Sequence, residues 1–271
     1  MGTVYIPSLS EIQAVAQSWG GASEAPDLWR GIRLWMPLQE GGGLDAFDAS
    51  GYGKHAKLTN MDPATDRVVT EMGRALEFDE TADQHVDTTL TLPLIAAGQG
   101  LSLAVWFKTT QTKTIIGLAG HDLVGNLGLM VGTNQGKGRI WINNKAAIGT
   151  IAIDDDVWHL IVVHRNGTTG SIYIDGQPDG TIIDAAVDDA IPAKIFRIGW
   201  WGNTGYDFTG QIASVTYWTR TLNRNEIQQL YERPWDMGTL RSRVFPAAAV
   251  APPAGHPYYY EMISQQIGSS L

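Results

Sequence analysis

The 271-residue chain contains no cysteine, which excludes a disulfide framework, thiol chemistry and any Cys-ligated zinc site. Positive charge is scarce: 19 Lys and Arg stand against 28 Asp and Glu, a net −9, so the surface repels phosphate backbones and nucleic acid is not an expected partner. No apolar run reaches the roughly 18 residues of a spanning helix, which argues against membrane insertion. Met1 to Ile6 offers neither the basic start nor the apolar stretch of a signal peptide, so no export address is expected. Nor does any segment recur at a fixed period, which speaks against a propeller or solenoid. The six histidines lack zinc-type spacing, and the glycine clusters at 41–43 and 98–100 lack the Lys-Ser/Thr of a phosphate cradle. What remains is a chain of 44% hydrophobic residues with 31 Gly and 10 Trp, the composition of a folded, turn-rich protein.

Three segments follow from the patterning, at 1–26, 27–232 and 233–271. In the first, Ile12, Val15, Ala16 and Trp19 fall at helical spacing, Ser10 and Gln13 can form a capping box, and Gly20 to Pro26 reads as a linker. From Gly31 the helical period gives way to short runs of Val, Ile, Trp and Tyr between Gly, Asn and Asp clusters, the form of antiparallel strands. Twelve strands are expected, the first at Ile32 to Pro37, the fifth at Leu101 to Thr109 and the last at Gln211 to Trp218. No helix interrupts them, which excludes βαβ units. In Leu101 to Lys108, Leu101, Leu103, Val105 and Phe107 share one face and Ser102, Ala104, Trp106 and Lys108 the other, so one face is core and the other partly wet. Sheets of this kind stack in pairs. A second helix is marked by an Asn223 cap, Glu226 at its third position, a Leu222–Ile227 staple and Pro234 as its stop. The last segment reads as an arm, in which Val244, Phe245, Tyr258, Tyr259 and Tyr260 carry apolar surface suited to docking on this domain or on a neighbouring subunit.

The run from Gly31 to Leu58, with Asp48, Ser50, Gly51 and Gly53 at its turn, resembles the opening of a laminin-G-like, concanavalin A-type jelly roll. The resemblance continues through Ala75 to Asp79, Leu101 to Lys108, Trp158 to Val163, Ile172 to Gly176 and Phe208 to Ile212, and closes on the capped helix, covering about residues 27 to 232. It implies an all-β, two-sheet antiparallel sandwich with a concave outer face, flanked by the two helices and the extended arm. Trp106 and Trp141 project off the core face by alternation; either they stack on sugar rings or loops and terminal arms cover them.

Hydrolases on this scaffold use a Glu-x-Asp-x-Glu strand, whereas here Glu77-Phe78-Asp79-Glu80-Thr81 puts a threonine at the last acid, so no catalytic residue is expected. Calcium, the ion the resemblance suggests, finds Asp48 but Ala213 and Ser214 where relatives often carry an acid, so no metal or other cofactor is expected. Asp154, Asp155 and Asp156 read as a solvated turn and His159 as structural. The run Tyr231, Pro234, Trp235 resembles jelly rolls from tailed-phage structural modules. The expectation is therefore a non-catalytic virion protein, a capsid decoration or a fibre or tail protein. Its partners would be other virion subunits or copies of itself, with assembly in the host cytoplasm. The alternative is an extracellular lectin that binds cell-surface glycan on the concave face around Trp106 and Trp141.

Overall fold

The computed structural model describes residues 5–17, 23–92, 95–121, 127–200 and 206–239, and in it the stretch through Leu240 forms one compact unit distinct from Arg241–Leu271. Helix α1 spans Leu9–Gln17 and a 3-10 turn follows at Pro26–Trp29. Strands β1 (Ile32–Met36), β2 (Asp45–Ala46), β3 (Ala56–Thr59), β4 (Arg67–Thr70), β5 (Gly73–Phe78) and β6 (His85–Leu92) lead into the long central β7 (Leu101–Lys108). Then come β8 (Ile116–His121), β9 (Leu129–Asn134), β10 (Lys137–Ile142), β11 (Lys145–Ala152), β12 (His159–Asn166), β13 (Thr169–Ile174) and β14 (Gln177–Ile183). Strands β15 (Lys194–Ile198) and β16 (Gly210–Trp218) precede helix α2 (Arg224–Glu232).

The strands form two antiparallel sheets, as the alternation and the jelly-roll resemblance imply. The first runs β14-β13-β12-β7-β16-β5-β4, and β1 joins it by pairing with the second half of β16 while β5 pairs with the first. The second runs β11-β10-β9-β8-β15-β6-β3-β2. Between them lies the main core, where Leu103, Val105, Phe107, Ile161 and Val163 of the first sheet meet Val131, Ile140, Ile142, Phe196 and Ile198 of the second. The sheets approach closely enough within themselves that a Cβ at Gly132 would run into the Ile116 carbonyl oxygen.

The other face of β7 is not wet. Ala104 and Trp106, with Leu160, Val162 and Trp218, pack beneath Ile12 and Val15 of α1, Leu28 and Trp29, and Ile227 and Leu230 of α2. The centre of the first sheet, β7, β12 and β16, is thus buried on both faces, and the helices supply a third layer that period-2 reasoning cannot anticipate. Helix α2 begins as expected: Asn223 Oδ1 accepts from the Glu226 amide at 3.0 Å, and Glu226 Oε2 accepts from the Asn223 amide at 2.8 Å. Helix α1 is capped two residues earlier than the sequence suggests, because Ser8 and Glu11 form the reciprocal pair (Glu11 Oε2 accepts from the Ser8 amide at 2.9 Å) instead of Ser10 and Gln13. Trp19 lies outside the described residues.

Asp48, considered above as a calcium ligand, organises a turn instead. Its Oδ1 accepts from the amides of Trp35 (3.2 Å) and Ser50 (2.9 Å), and its Oδ2 from that of Lys54 (2.9 Å), at 1% exposure. Replacing Asp48 by alanine strands three amides, and each buried unsatisfied group costs about 1 to 3 kcal/mol. Asp48→Ala is therefore expected to lower the unfolding free energy in urea by roughly 3 kcal/mol and Asp48→Asn by about half as much; equal, negligible effects of both would refute this role.

Candidate functional site

On the helix side a groove of about 920 Å³ lies between the outer face of the first sheet and the end of α2. Its walls are aromatic: Trp106 from β7, Trp158 just before β12, Tyr231 from the last turn of α2, and Trp235 from the turn after it, with Met72 and Tyr5 at the edges. Pro234 prevents α2 from continuing, and the chain folds back so that Trp235 enters the helix-side core. Ser23 holds that turn by donating to the carbonyls of Asp236 (2.9 Å) and Met237 (3.0 Å). The Trp106 and Tyr231 rings lie nearly parallel, with centroids 6.0 Å apart. Burial, and after it the charge of Asp175, raises the Tyr231 phenol above its ordinary pKa.

The polar groups of the groove are unequal. Glu71, Glu232 and Asp236 line it with a single cation, Arg233, whose guanidinium lies 3.7 Å from Asp236. Glu232 accepts from Gln228 at 2.8 Å and Asp236 from Gln229 at 3.4 Å. The indoles tell more. In the same helix-side layer Trp29 donates to Met237 O (3.1 Å), Trp35 to Ser214 Oγ (3.3 Å) and Trp218 to Leu28 O (2.6 Å). The three indoles that line the groove, Trp106, Trp158 and Trp235, are 8%, 6% and 2% exposed, yet their Nε1 donors have no hydrogen-bond partner. Buried donors of this kind are rare in folded proteins because each forfeits its bond to water.

Beneath Trp158, His159 donates from Nδ1 to Asp175 (2.8 Å) and from Nε2 to Asp155 (3.0 Å). Burial opposes its charge, but the hydrogen bonds and charges of the two carboxylates prevail and raise its pKa above 6.5. This fits the structural role expected of His159, and it gives Asp155, expected in a merely solvated turn, a specific partner. The acids of the hydrolase-like stretch are dispersed: Glu77 is exposed and meets Gln211 (3.3 Å), Asp79 caps the 3-10 turn Glu80–Ala82 through Thr81 (2.8 Å), and Glu80 binds Gln111 and Lys113 (both 2.6 Å). Among the described residues no group of three His, Asp or Glu side chains is placed to hold a metal ion.

Trp106 and Trp141 both leave the main core by alternation, as expected, but they do not share a surface. Trp106 faces the helices from the first sheet, whereas Trp141 lies on the outer face of the second, packed on Met130 and beside Ile115 and Tyr206 at 6% exposure. A single concave face around both tryptophans is therefore not present, because β7 and β10 belong to different sheets. Covering groups, not solvent, meet each ring. Val244, Phe245, Tyr258, Tyr259 and Tyr260 lie outside the described residues. Trp158 and Met72 escape sequence reasoning; Tyr231 and Trp235 carry a signal in the Tyr-x-x-Pro-Trp run.

Two stacked antiparallel sheets with a helix-side aromatic groove define a lectin-like jelly roll. The family model described as the concanavalin A-like lectin/glucanases superfamily, Laminin_G_3, matches residues 80–228, and the chain belongs to that family. Among curated proteins none matches. The chain resembles the solved binding domain of Paraclostridial Mosquitocidal Protein 1, with a TM-score of 0.59 and 11% identity over 77% of this chain and 55% of that one. It also resembles the binding domain of Botulinum Neurotoxin DC, solved in complex with SialylT (TM-score 0.56, 14% identity, 75% and 51% covered). A third likeness is to the Trypanosoma rangeli sialidase in complex with 2,3-difluoro-KDN (TM-score 0.56, 17% identity, 77% and 33% covered). The chain thus spans about half the length of the first two and a third of the last, and these likenesses show the fold alone. Among the described residues no helix is long and apolar enough to cross a membrane.

Proposed function

We infer that the chain is a non-catalytic binding and assembly module: a virion structural protein, either a capsid decoration or a fibre or tail adhesion protein, that displays its jelly roll and is anchored by terminal arms. The observation that carries this reading is the groove, whose walls are the aromatic rings of Trp106, Trp158, Tyr231 and Trp235. Such a lining suits recognition; hydrolysis of a glycosidic bond instead needs two carboxyl groups facing the scissile atom. The Tyr-x-x-Pro-Trp run supports the virion setting, since Tyr231 and Trp235 are both walls of the groove. Val244, Phe245 and Tyr258 to Tyr260 supply the arm's apolar contacts in that assembly.

A second reading, an extracellular lectin, draws on the near-parallel Trp106 and Tyr231 rings and on the neurotoxin binding domain solved with SialylT. A glycan array and electron microscopy of the native assembly separate the two. The virion reading expects particle-bound or homo-oligomeric chain with no saturable sugar binding. Saturable binding that Trp106→Ala abolishes in a protein still folded by circular dichroism, without any assembly, overturns it in favour of the lectin.

A further inference from the structure

One wall of the groove depends on a single imidazole. Val157 and Trp158 line the groove, and His159 follows them directly in the chain. The buried His159 ring lies between two carboxylates, with Nδ1 2.8 Å from Asp175 Oδ2 and Nε2 3.0 Å from Asp155 Oδ1. A neutral imidazole has one N–H and one lone pair, so it can donate to only one of these acceptors, whereas the imidazolium donates to both. Burial opposes the charge, yet the hydrogen bonds and charges of the two acids prevail and keep the ring protonated to a higher pH than an ordinary histidine. The charged groups around it are Asp155 from the segment before β12, Asp175 from the β13–β14 turn and, from β7, Lys108, which is 3.6 Å from Asp156. Phe107 of β7 packs on the ring itself, with centroids 6.4 Å apart.

The two ends of this clamp differ. Asp175 is fixed without help from His159: its amide donates to Leu160 O, and its Oδ1 accepts from the Leu160 amide, both at 2.9 Å. Asp155 has a side chain 54% exposed, and the Oδ1 that meets His159 also accepts from the Val157 amide at 3.1 Å. When the ring loses a proton, the remaining N–H stays with Asp175, whose side chain is only 26% exposed and would lose more by being stripped of a donor. The bare nitrogen then faces Asp155, and water takes over that carboxylate. The Asp156 amide stays tied to Thr109 O (3.2 Å) and β12 stays paired with β7, so the stretch set free is the one between them, Val157 and Trp158. The Trp158 indole has no hydrogen bond to keep it in place.

We propose that His159 is a pH-operated pin for the groove wall: protonated, it holds Val157 and Trp158 in position through Asp155, and deprotonated, it lets them go. The movement stands on this geometry. Its consequence, that the groove grips an occupant less well in alkali, rests on the reading of the groove as the binding surface.

Amide hydrogen exchange of the full chain, followed by NMR from about pH 5.5 to pH 9.5 and corrected for base-catalysed exchange, tests the pin, and the His159 ring resonances give its titration in the same samples. Protection of the Val157 and Trp158 amides is expected to fall at least about tenfold with a midpoint at the His159 titration, because a charge-assisted hydrogen bond is lost there. Val162, in the middle of β12, is expected to keep its protection. In Asp155→Asn the step is expected to vanish while His159 still titrates, since an asparagine donates to the bare nitrogen as readily as it accepts from the protonated one. His159→Gln, which has no proton to lose, should show low protection at every pH; should it not fold, Asp155→Asn still decides. Protection that stays level while His159 titrates overturns the proposal, as does a step that survives in Asp155→Asn or an imidazole that does not change charge across this range. None of these results bears on the binding reading itself, which the glycan array and microscopy decide at a single pH.

Discussion

Acidification from pH 7 to pH 4 is expected to remove about 6 kcal/mol of folding stability, enough to unfold a typical domain. The cause is two histidines held neutral. His121 is 2% exposed on β8, with Nδ1 3.0 Å from the Leu129 amide nitrogen and 3.1 Å from its carbonyl oxygen; burial lowers its pKa to about 4, the Leu129 hydrogen bond opposing and the charges of Lys194 and Arg165 assisting. His164 on β12, 7% exposed and against the Tyr173 ring, is lowered to about 4 by burial alone. Both pKa values fall on folding, so the unfolded chain takes up protons first. The stabilisation is complete above 6.5, and as pH falls to 4 it is lost at about 3 kcal/mol for each ring. His159 has the opposite slope: its raised pKa stabilises below 6.5 and that contribution fades as pH rises through the folded value. For Asp87 burial opposes ionisation, but Arg197, His85 and Thr59 prevail and lower its pKa, so its contribution is lost only below the window in which the two buried histidines protonate. Urea titrations at several pH values measure the slope, and His164→Gln should remove close to half of it. A stability that stays flat between pH 7 and 4 would show that these rings are not buried neutral.

Most of the architecture is legible in the sequence because strand alternation is a local property. Ile140 and Ile142 against Trp141 predict a face correctly whatever the partner strand is, and Leu103, Val105 and Phe107 do so for β7. What escapes is set by distant chain. β11 and β14 are edge strands with exposed, Gly-bearing, weakly alternating sequences, and they are held in part by Asp179, which accepts from the amides of Thr150 (2.8 Å) and Ile151 (3.0 Å) across the edges of the two sheets. No local pattern announces such a tie. The short β2 and β4 escape for the same reason: β2 comprises only Asp45 and Ala46, and β4 alternates weakly. The helix layer escapes because Trp106 on a strand reads identically whether water or a helix covers it. The groove inherits this difficulty: its walls come from residues 106, 158, 231 and 235, and only the last two lie close enough in sequence to form a motif. Unpaired indole donors have no sequence signature, since Trp218 and Trp235 differ only in what the fold places beside them.

The largest effect of any single side chain is expected at Arg165. This arginine sits at the inner-face end of β12, is 0% exposed and is among the largest fully buried side chains. Its guanidinium donates to backbone carbonyls: Nε and Nη2 to Gln99 (3.0 and 2.7 Å), Nη2 also to Ala96 (2.9 Å), and Nη1 to Val187 (3.3 Å) and Asp189 (2.8 Å). One charge therefore fastens the turn leading into β7 to the 3-10 turn Ala185–Asp188, and the Ile95–Ile191 bridge lies between the same two segments. Burial lowers the guanidinium pKa, while Asp188, Tyr217 and Asp189 counter it. Removing the side chain leaves the Gln99 and Val187 carbonyls without this donor, whereas Ala96 O still accepts from the Gln99 amide (3.2 Å) and Asp189 O from Asn143 Nδ2 (2.9 Å). Hydrogen bonds from a charged donor contribute about 1.5 to 3 kcal/mol each, and breaking a buried charged cluster costs roughly 3 to 5 kcal/mol. Arg165→Met, which keeps apolar volume, is expected to lose about 4 kcal/mol or more and to lower the melting temperature by roughly 10 °C. Arg165→Lys should rescue little of this, because an ammonium group cannot span the carbonyls that a planar five-donor fork reaches. If Arg165→Met costs under about 1 kcal/mol, or if lysine restores full stability, the two turns are held by their apolar contacts and the guanidinium is a passenger.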